Sequence, residues 1–525
     1  ASAEAVCSLA EDQLTPAVDV GADMTYICWR DCRVGSSASD IYVQGYSTSN
    51  PTAGTRWLDG GHPVTQAVSA QILPDMLGEV LVWQDGRRNP ITADGRNDEN
   101  IYAELLGDEC DAPTDMHWKD MYVKHTQGMD AESFRFVMDG EGHRYVVWTE
   151  VRPEHGDAPC VFAQKLDVDG VPRWDNNGRL VNFPGEAASD PDVCIDGQGG
   201  AYVSWIEANQ EVMLAHVPAD GGNVDVVPVS PGYEARVVED DSNGVYVGYI
   251  DPTDVFFKHY DDISSQPPAR AVMTGAGCSN LKLVKDYEGG AWSACYSDPT
   301  TKIVVAYFDG GAAPKKQPSF FKATPEFDIV TDVHPSFQIA RLGDYNLHDL
   351  LVVYINNAGA PTVSRFAFNT GLVGEKGIFP FPVPAGTIGY HSPAIAVDSM
   401  GNDWYGNNAE LGGAMVAWAR SYVDPATQDL VHDVETDRVE WIGTWLIVAG
   451  STLWNSSLVL DQNLAFPPVV DIATYFGEPG IGNPLGMVVW ETDQFLSCAT
   501  GYRMIASQLV HYTNNQQYAM QWTPN

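Results

Sequence analysis

Three pairs of an acid and an arginine stand at one spacing behind an aromatic residue. They are Asp31 with Arg33 after Trp29, Asp85 with Arg87 after Trp83, and Glu150 with Arg152 after Trp148. An acid two residues past the aromatic and an arginine two further on lie on one face of a strand. Carboxylates presented in that way can do acid and base work on a sugar. A catalytic group is normally unique, however, whereas a device that returns in three repeats reads as scaffold. Each pair is therefore expected to tie its own strand to the next loop.

Other residues suggest further chemistry. Oxygen-rich turns hold Asp85, Asp94 and Asp98 in one stretch and Asp167 and Asp169 in another. Such turns offer hard ligands, and calcium is the one cofactor with support in the sequence, although the match to an EF-hand loop is poor. Trp118, Trp404, Trp441, Trp445, Trp454 and Trp522 fall outside the recurring tryptophan position and could form a glycan platform; packing between sheets is the plainer role for any one of them. The stretch from Asp398 to Trp404 nears the Asp-box spacing of sialidases, but it has one residue too many between Asp398 and Gly401 and reads as a turn. His117, His125, His143 and His155 cluster in sequence but on different elements. No nucleophile elbow, zinc-protease helix or phosphate loop occurs, so no catalytic residue is assigned.

Composition narrows the partners. The 525 residues carry 70 acids against 29 bases, a formal charge of -41. That balance works against nucleic acid and anionic membranes. It leaves extracellular proteins, neutral glycans and cations. The longest apolar run, near residues 441–448, is far short of the ~20 residues of a membrane span. Nine cysteines without paired CxxC motifs point to disulfides and an oxidising compartment. Cys278 and Cys295 flank a turn and are expected to pair across a hairpin. Cys160 and Cys194 sit on consecutive repeats, and Cys7 and Cys498 near the chain ends, where bridges would join repeats or lock a ring. Cys28, Cys32 and Cys110 leave an odd thiol, and spacing does not fix the connectivity. The Ala1-Ser2-Ala3 start reads as a mature end after signal cleavage, and hence as secretion to the outside or the cell surface.

The elements that must position these residues are repeated. Asp139-Gly140-Glu141-Gly142 precedes a strand ending at Trp148, Asp196-Gly197-Gln198-Gly199-Gly200 one ending at Trp205, and Asp241-Ser242-Asn243-Gly244 one ending at Tyr249. Asp286 to Gly290 opens a fourth copy. Asp-Gly turns between alternating runs signal hairpins, and the period signals one unit stacked many times. Candidate repeats start near residues 16, 69, 133, 190, 234, 280, 336, 392 and 467. Second-strand anchors fall at Trp29, Trp83, Trp148, Trp205, Tyr249, Ala294, Tyr354, Trp418 and Trp490. No linker divides residues 1–525, so one domain is expected.

With its Asp-Gly-x-Gly-Gly turns, its aromatic-acid-x-Arg stretches and its Ile41-Tyr42-Val43-Gln44 type strands, the chain resembles bacterial secreted β-propeller repeat proteins. The likeness is strongest over the first four repeats. It implies an all-β fold, a β-propeller of eight or nine four-stranded antiparallel blades, and says little of activity. The expected function is a non-enzymatic extracellular surface or matrix scaffold that binds proteins or glycans and assembles into a larger structure. The alternative is a carbohydrate-active hydrolase or lyase with its site at the mouth of the propeller channel.

Overall fold

A computed structural model describes residues 4–519 apart from segments 48–55, 65–70, 86–99, 107–120, 123–130, 309–314, 332–349, 399–412, 449–457, 476–484 and 493–503 and some shorter turns. The protein is all-β: among the described residues the only helix is a 3-10 turn at Pro153–His155. The described strands form nine antiparallel sheets, seven of four strands and two of five. Their first strands are Gln13–Val20, Gln71–Leu77, Ala131–Met138, Ala188–Ile195, Glu234–Glu239, Cys278–Lys285, Phe327–Thr331, Thr387–Asp398 and Val470–Tyr475. The position near residue 336 expected for a first strand lies outside the described residues. In each four-stranded sheet the strands pair in chain order, so each strand lies beside its neighbours in sequence.

Contacts divide the chain into two compact units. One comprises residues 1–81, 323–367 and 374–525, the other residues 82–322 and 368–373. In the first unit the two ends of the chain share a sheet, because Glu4–Ala5 pairs with Met504–Thr513 and sets Glu4 opposite Ser507. Its cores lie between sheets. One joins Trp29, Ile27 and Val18 to Met487 and Val489, and another joins Ala417, Ala419 and Val434 to Trp490 and Ile472. In the second unit the third, fourth, fifth and sixth sheets likewise bury successive cores against one another.

Both faces of each second strand are covered, and Trp29, Trp83, Trp148, Trp205, Trp418 and Trp490 all sit there, fully buried. In the sixth sheet the second strand buries the expected anchor Ala294 together with Trp292, which stands where the third, fourth and fifth sheets have Tyr145, Tyr202 and Tyr246. The turn between first and second strands is built by its aspartate. Asp196 Oδ1 accepts the amides of Gln198 at 2.7 Å and Gly200 at 2.8 Å, and Asp240 Oδ1 accepts those of Ser242 and Gly244, each at 2.7 Å. Gly199 closes that loop at φ 91°, a conformation that costs a residue without a Cβ little.

First strands carry a second device that sequence pattern did not disclose. Thr15, Leu73, Ser133, Asp190, Asn280 and Ser392 all have φ between 49° and 54°. Register slips at five of these places, for example between Leu14 and Ala17 and between Ser189 and Asp192. Each is a β-bulge that bends the strand where its neighbour packs.

Candidate functional site

Two of the three recurring acid and arginine pairs, Asp31 with Arg33 and Glu150 with Arg152, form closed clamps. Trp29, Trp83 and Trp148 donate from Nε1 to Asp31, Asp85 and Glu150 at 3.0, 3.1 and 3.0 Å. Arg33 grips Asp31 with Nε at 2.8 Å and Nη2 at 2.5 Å and donates to the Gly60 carbonyl at 2.9 Å. Its guanidinium lies 3.7 Å from the centre of the Tyr42 ring. Arg152 repeats the arrangement on Glu150 at 2.8 Å, the Asn177 carbonyl at 2.5 Å and the Phe162 ring at 3.5 Å. Each clamp fastens a second strand to the loop beyond the third. Arg87 lies outside the described residues.

A glutamine completes the clamp. Gln44 Oε1 accepts the amide of Trp57 at 3.0 Å, and Gln164 Oε1 that of Trp174 at 3.0 Å. The Ile-Tyr-x-Gln run held this signal, since a buried amide at a fixed place in a repeat must find partners.

Of the calcium turns, only Asp85 and Asp167 are among the described residues. Asp85 is fully buried against Trp83, and Asp167 accepts the Val171 amide at 2.8 Å and pairs with Arg173. Asp94, Asp98 and Asp169 lie outside the described residues. Among the described residues, the group at ligating distance is instead Asp240, His259 and Asp261. His259 Nε2 meets Asp240 Oδ2 at 2.6 Å, and His216 and Asp196 repeat the contact at 2.8 Å; His143, within its own turn, meets Asp139 through Nδ1 at 2.9 Å. Recurrence marks it as part of the Asp-turn device.

The six described cysteines, Cys28, Cys32, Cys160, Cys194, Cys278 and Cys295, are buried thiols. Cys278 and Cys295 meet, with sulfurs 2.6 Å apart. Cys160 and Cys194 do not pair. Cys160 donates to the Ala158 carbonyl at 3.6 Å, whereas Cys194 faces the following sheet, in a core with Val237, Val245 and Val247. Strand alternation, which spacing in sequence does not reveal, turned it away. Cys7, Cys110 and Cys498 lie outside the described residues, as do Trp118, Trp404, Trp454 and Trp522; the side chains of Trp441 and Trp445 are not described either.

One sheet inverts the clamp and opens it to a cavity. In the strands Gly413–Val423 and Leu430–Ile442, Trp418 donates to Glu435 Oε2 at 3.0 Å, so the acid comes from the third strand. Arg420 takes the place that the acid holds elsewhere. It pairs with Asp433, approaches Glu435 Oε1 at 3.0 Å, and lies 4.8 Å from the Tyr422 ring centre. Burial, against the pull of Arg420, lifts the Glu435 carboxyl above its ordinary range. A cavity of about 330 Å³ is lined by Arg420, Asp433, Tyr422, Val423, Pro425 and Gly386. Val423 stands opposite Leu430 in register, and both are exposed, at 40% and 54%, as is Ile388 at 63%. The floor is charged and the lip apolar. Neither the inverted order nor Asp433 and Glu435 were singled out in the sequence, although Arg420 two residues after Trp418 was a visible departure.

No protein-family model and no curated protein matches the chain. Among solved structures it is similar to the NanB sialidase of Streptococcus pneumoniae, at 10% identity and a TM-score of 0.32 over 80% of this chain and 67% of that one. It is similar to AofleA of Arthrobotrys oligospora at 11% identity and a TM-score of 0.28, over 63% and 86%. A prolyl endopeptidase gives 13% identity and a TM-score of 0.36, with 81% of this chain covering 53% of that one.

Proposed function

We propose that the chain is a secreted β-propeller of eight or nine four-stranded blades that acts outside the cell as a binding scaffold, and that its cavity over Arg420 takes a neutral glycan. The observation that carries this reading is the make-up of the cavity. A guanidinium and a carboxylate on its floor can donate to and accept from sugar hydroxyls. The Tyr422 ring and the apolar lip of Val423 suit the C–H faces of a pyranose. Asp433 beside Arg420, within a chain of charge -41, disfavours uronates and sulfated sugars. The Cys278 and Cys295 pair belongs in this picture as a disulfide formed in an oxidising compartment.

Electrophoresis through gels containing neutral or anionic polysaccharides tests the proposal. Retardation is expected in a neutral gel, weakened about tenfold in Kd by Tyr422→Ala, a change of ~1.4 kcal/mol. Retardation by none of them, or retardation indifferent to Tyr422→Ala, would retire it.

A second reading, a carbohydrate-active hydrolase or lyase, is favoured by one observation. Asp433 and Glu435 are alternate residues of one strand beside the cavity, and Glu435 is held above its usual range, as a general acid requires. Sugar release that falls by ~10² or more in Glu435→Gln, with the fold retained, would select this reading over the scaffold.

A further inference from the structure

The fourth sheet keeps the tryptophan and the acid of the clamp but lacks its arginine. It reads Trp205-Ile206-Glu207-Ala208-Asn209 where the third reads Trp148-Thr149-Glu150-Val151-Arg152. The loss is visible at the atoms. Trp205 is 0% exposed and its Nε1 has no hydrogen-bond partner, whereas the three earlier tryptophans donate to the acid two residues on. Glu207 Oε1 is likewise buried without a partner.

Two further acids face Glu207. Glu186, from the loop between the third and fourth sheets, and Glu211, at the start of the next strand, both act on it through their charge. Burial and then the Glu186 charge raise the Glu207 carboxyl to about 7. Asn209, two residues on from Glu207, accepts the Glu211 amide at 2.9 Å. Glu186 and Asn209 are exposed, so the group opens to solvent. The fifth sheet also lacks the arginine, but there Asp251 Oδ1 accepts the Asp254 amide at 2.7 Å.

We propose that Glu207, Glu186 and the Trp205 indole form an open guanidinium socket, which receives an arginine side chain of a partner protein in the place that Arg152 fills within the third sheet. The sister clamps supply the template. In them one guanidinium bonds the acid and lies flat on the residue opposite the tryptophan, Tyr42 or Phe162. Met213 holds that position opposite Trp205. A planar, permanently charged fork suits two adjacent carboxylates better than an ammonium does. The overall charge of -41 steers basic partners toward the surface. This inference concerns the second unit and does not rest on the glycan reading.

The test uses the full chain and a Gly-Arg-Gly amide peptide, followed by calorimetry and by melting midpoint. Wild type is expected to bind the peptide saturably, more tightly than a Gly-Lys-Gly control. Glu207→Gln is expected to weaken binding at least tenfold. Asn209→Arg is expected to raise the midpoint by a few degrees without peptide and to abolish the response to it, because the socket is then filled in cis. Three results would overturn the proposal: no binding by wild type, peptide binding by Asn209→Arg equal to wild type, or a response to calcium alone that Glu207→Gln removes.

Discussion

At the scale of single residues, burial decides what each polar group contributes. Asp85, read as one of several repeated acids, would cost roughly 1 kcal/mol or less on removal if it were exposed. It is fully buried and accepts the Trp83 indole. Asp85→Ala is therefore expected to lower stability by about 1–3 kcal/mol, the cost of an unsatisfied buried donor, measured by urea denaturation. Gly178 has φ 88°, and a Cβ there would lie 2.3 Å from Trp148 Cη2. Gly178→Ala should cost about 2–3 kcal/mol in the same assay; a loss under ~0.5 kcal/mol would show that the tryptophan yields. Asp196 yields a pH prediction. Burial pushes its carboxyl up, but the hydrogen bond from His216 and the amides of Gln198 and Gly200 win and hold it below 3.8. Its contribution is thus full above the unfolded value near 3.8 and is lost as pH falls through the lower folded value. Asp196→Asn should lower stability near neutrality and flatten the acid limb below about pH 4, read as urea midpoints across pH. The sign is opposite at Glu207, whose raised carboxyl carries a penalty that grows from about pH 4.5 to about 7.

At the scale of strands and turns, the hairpins were legible because their cause is local. An aspartate that caps two amides and a glycine at positive φ leave a short, repeated trace in the chain. The second-strand tryptophans were legible for the same reason. The bulges were not, since residues as different as Thr15, Leu73 and Asn280 adopt one backbone conformation there, which the packing of the neighbouring sheet imposes. Leu73 is 50% exposed and makes the case cleanly. Asparagine enters the left-handed region more easily than leucine, so Leu73→Asn is expected to stabilise the protein by several tenths to ~1 kcal/mol. A destabilisation would mean that the Leu73 side chain contributes more than its backbone strain costs. The cysteines show the same divide: Cys278 and Cys295 sit across one hairpin, which spacing locates, while the direction of Cys194 depends on a strand phase that spacing leaves open.

At the scale of the whole molecule, the repeats are most informative where they break. Among the described residues two clamps close through Arg33 and Arg152, one is inverted over a cavity at Arg420, and the fourth sheet has Asn209 where the arginine would stand. A repeated device gives stability, and both proposals place a ligand where that device is broken. The sequence shows both departures once the template is known, but the third-strand acids Asp433 and Glu435 come to Arg420 only through strand pairing. The most direct measurement of the glycan account is hydrogen exchange with and without the neutral glycan that binds best. Protection is expected at residues 385–390, 420–425 and 430–435, around the cavity. Binding that leaves these segments unprotected, or protects only strands elsewhere, would contradict it.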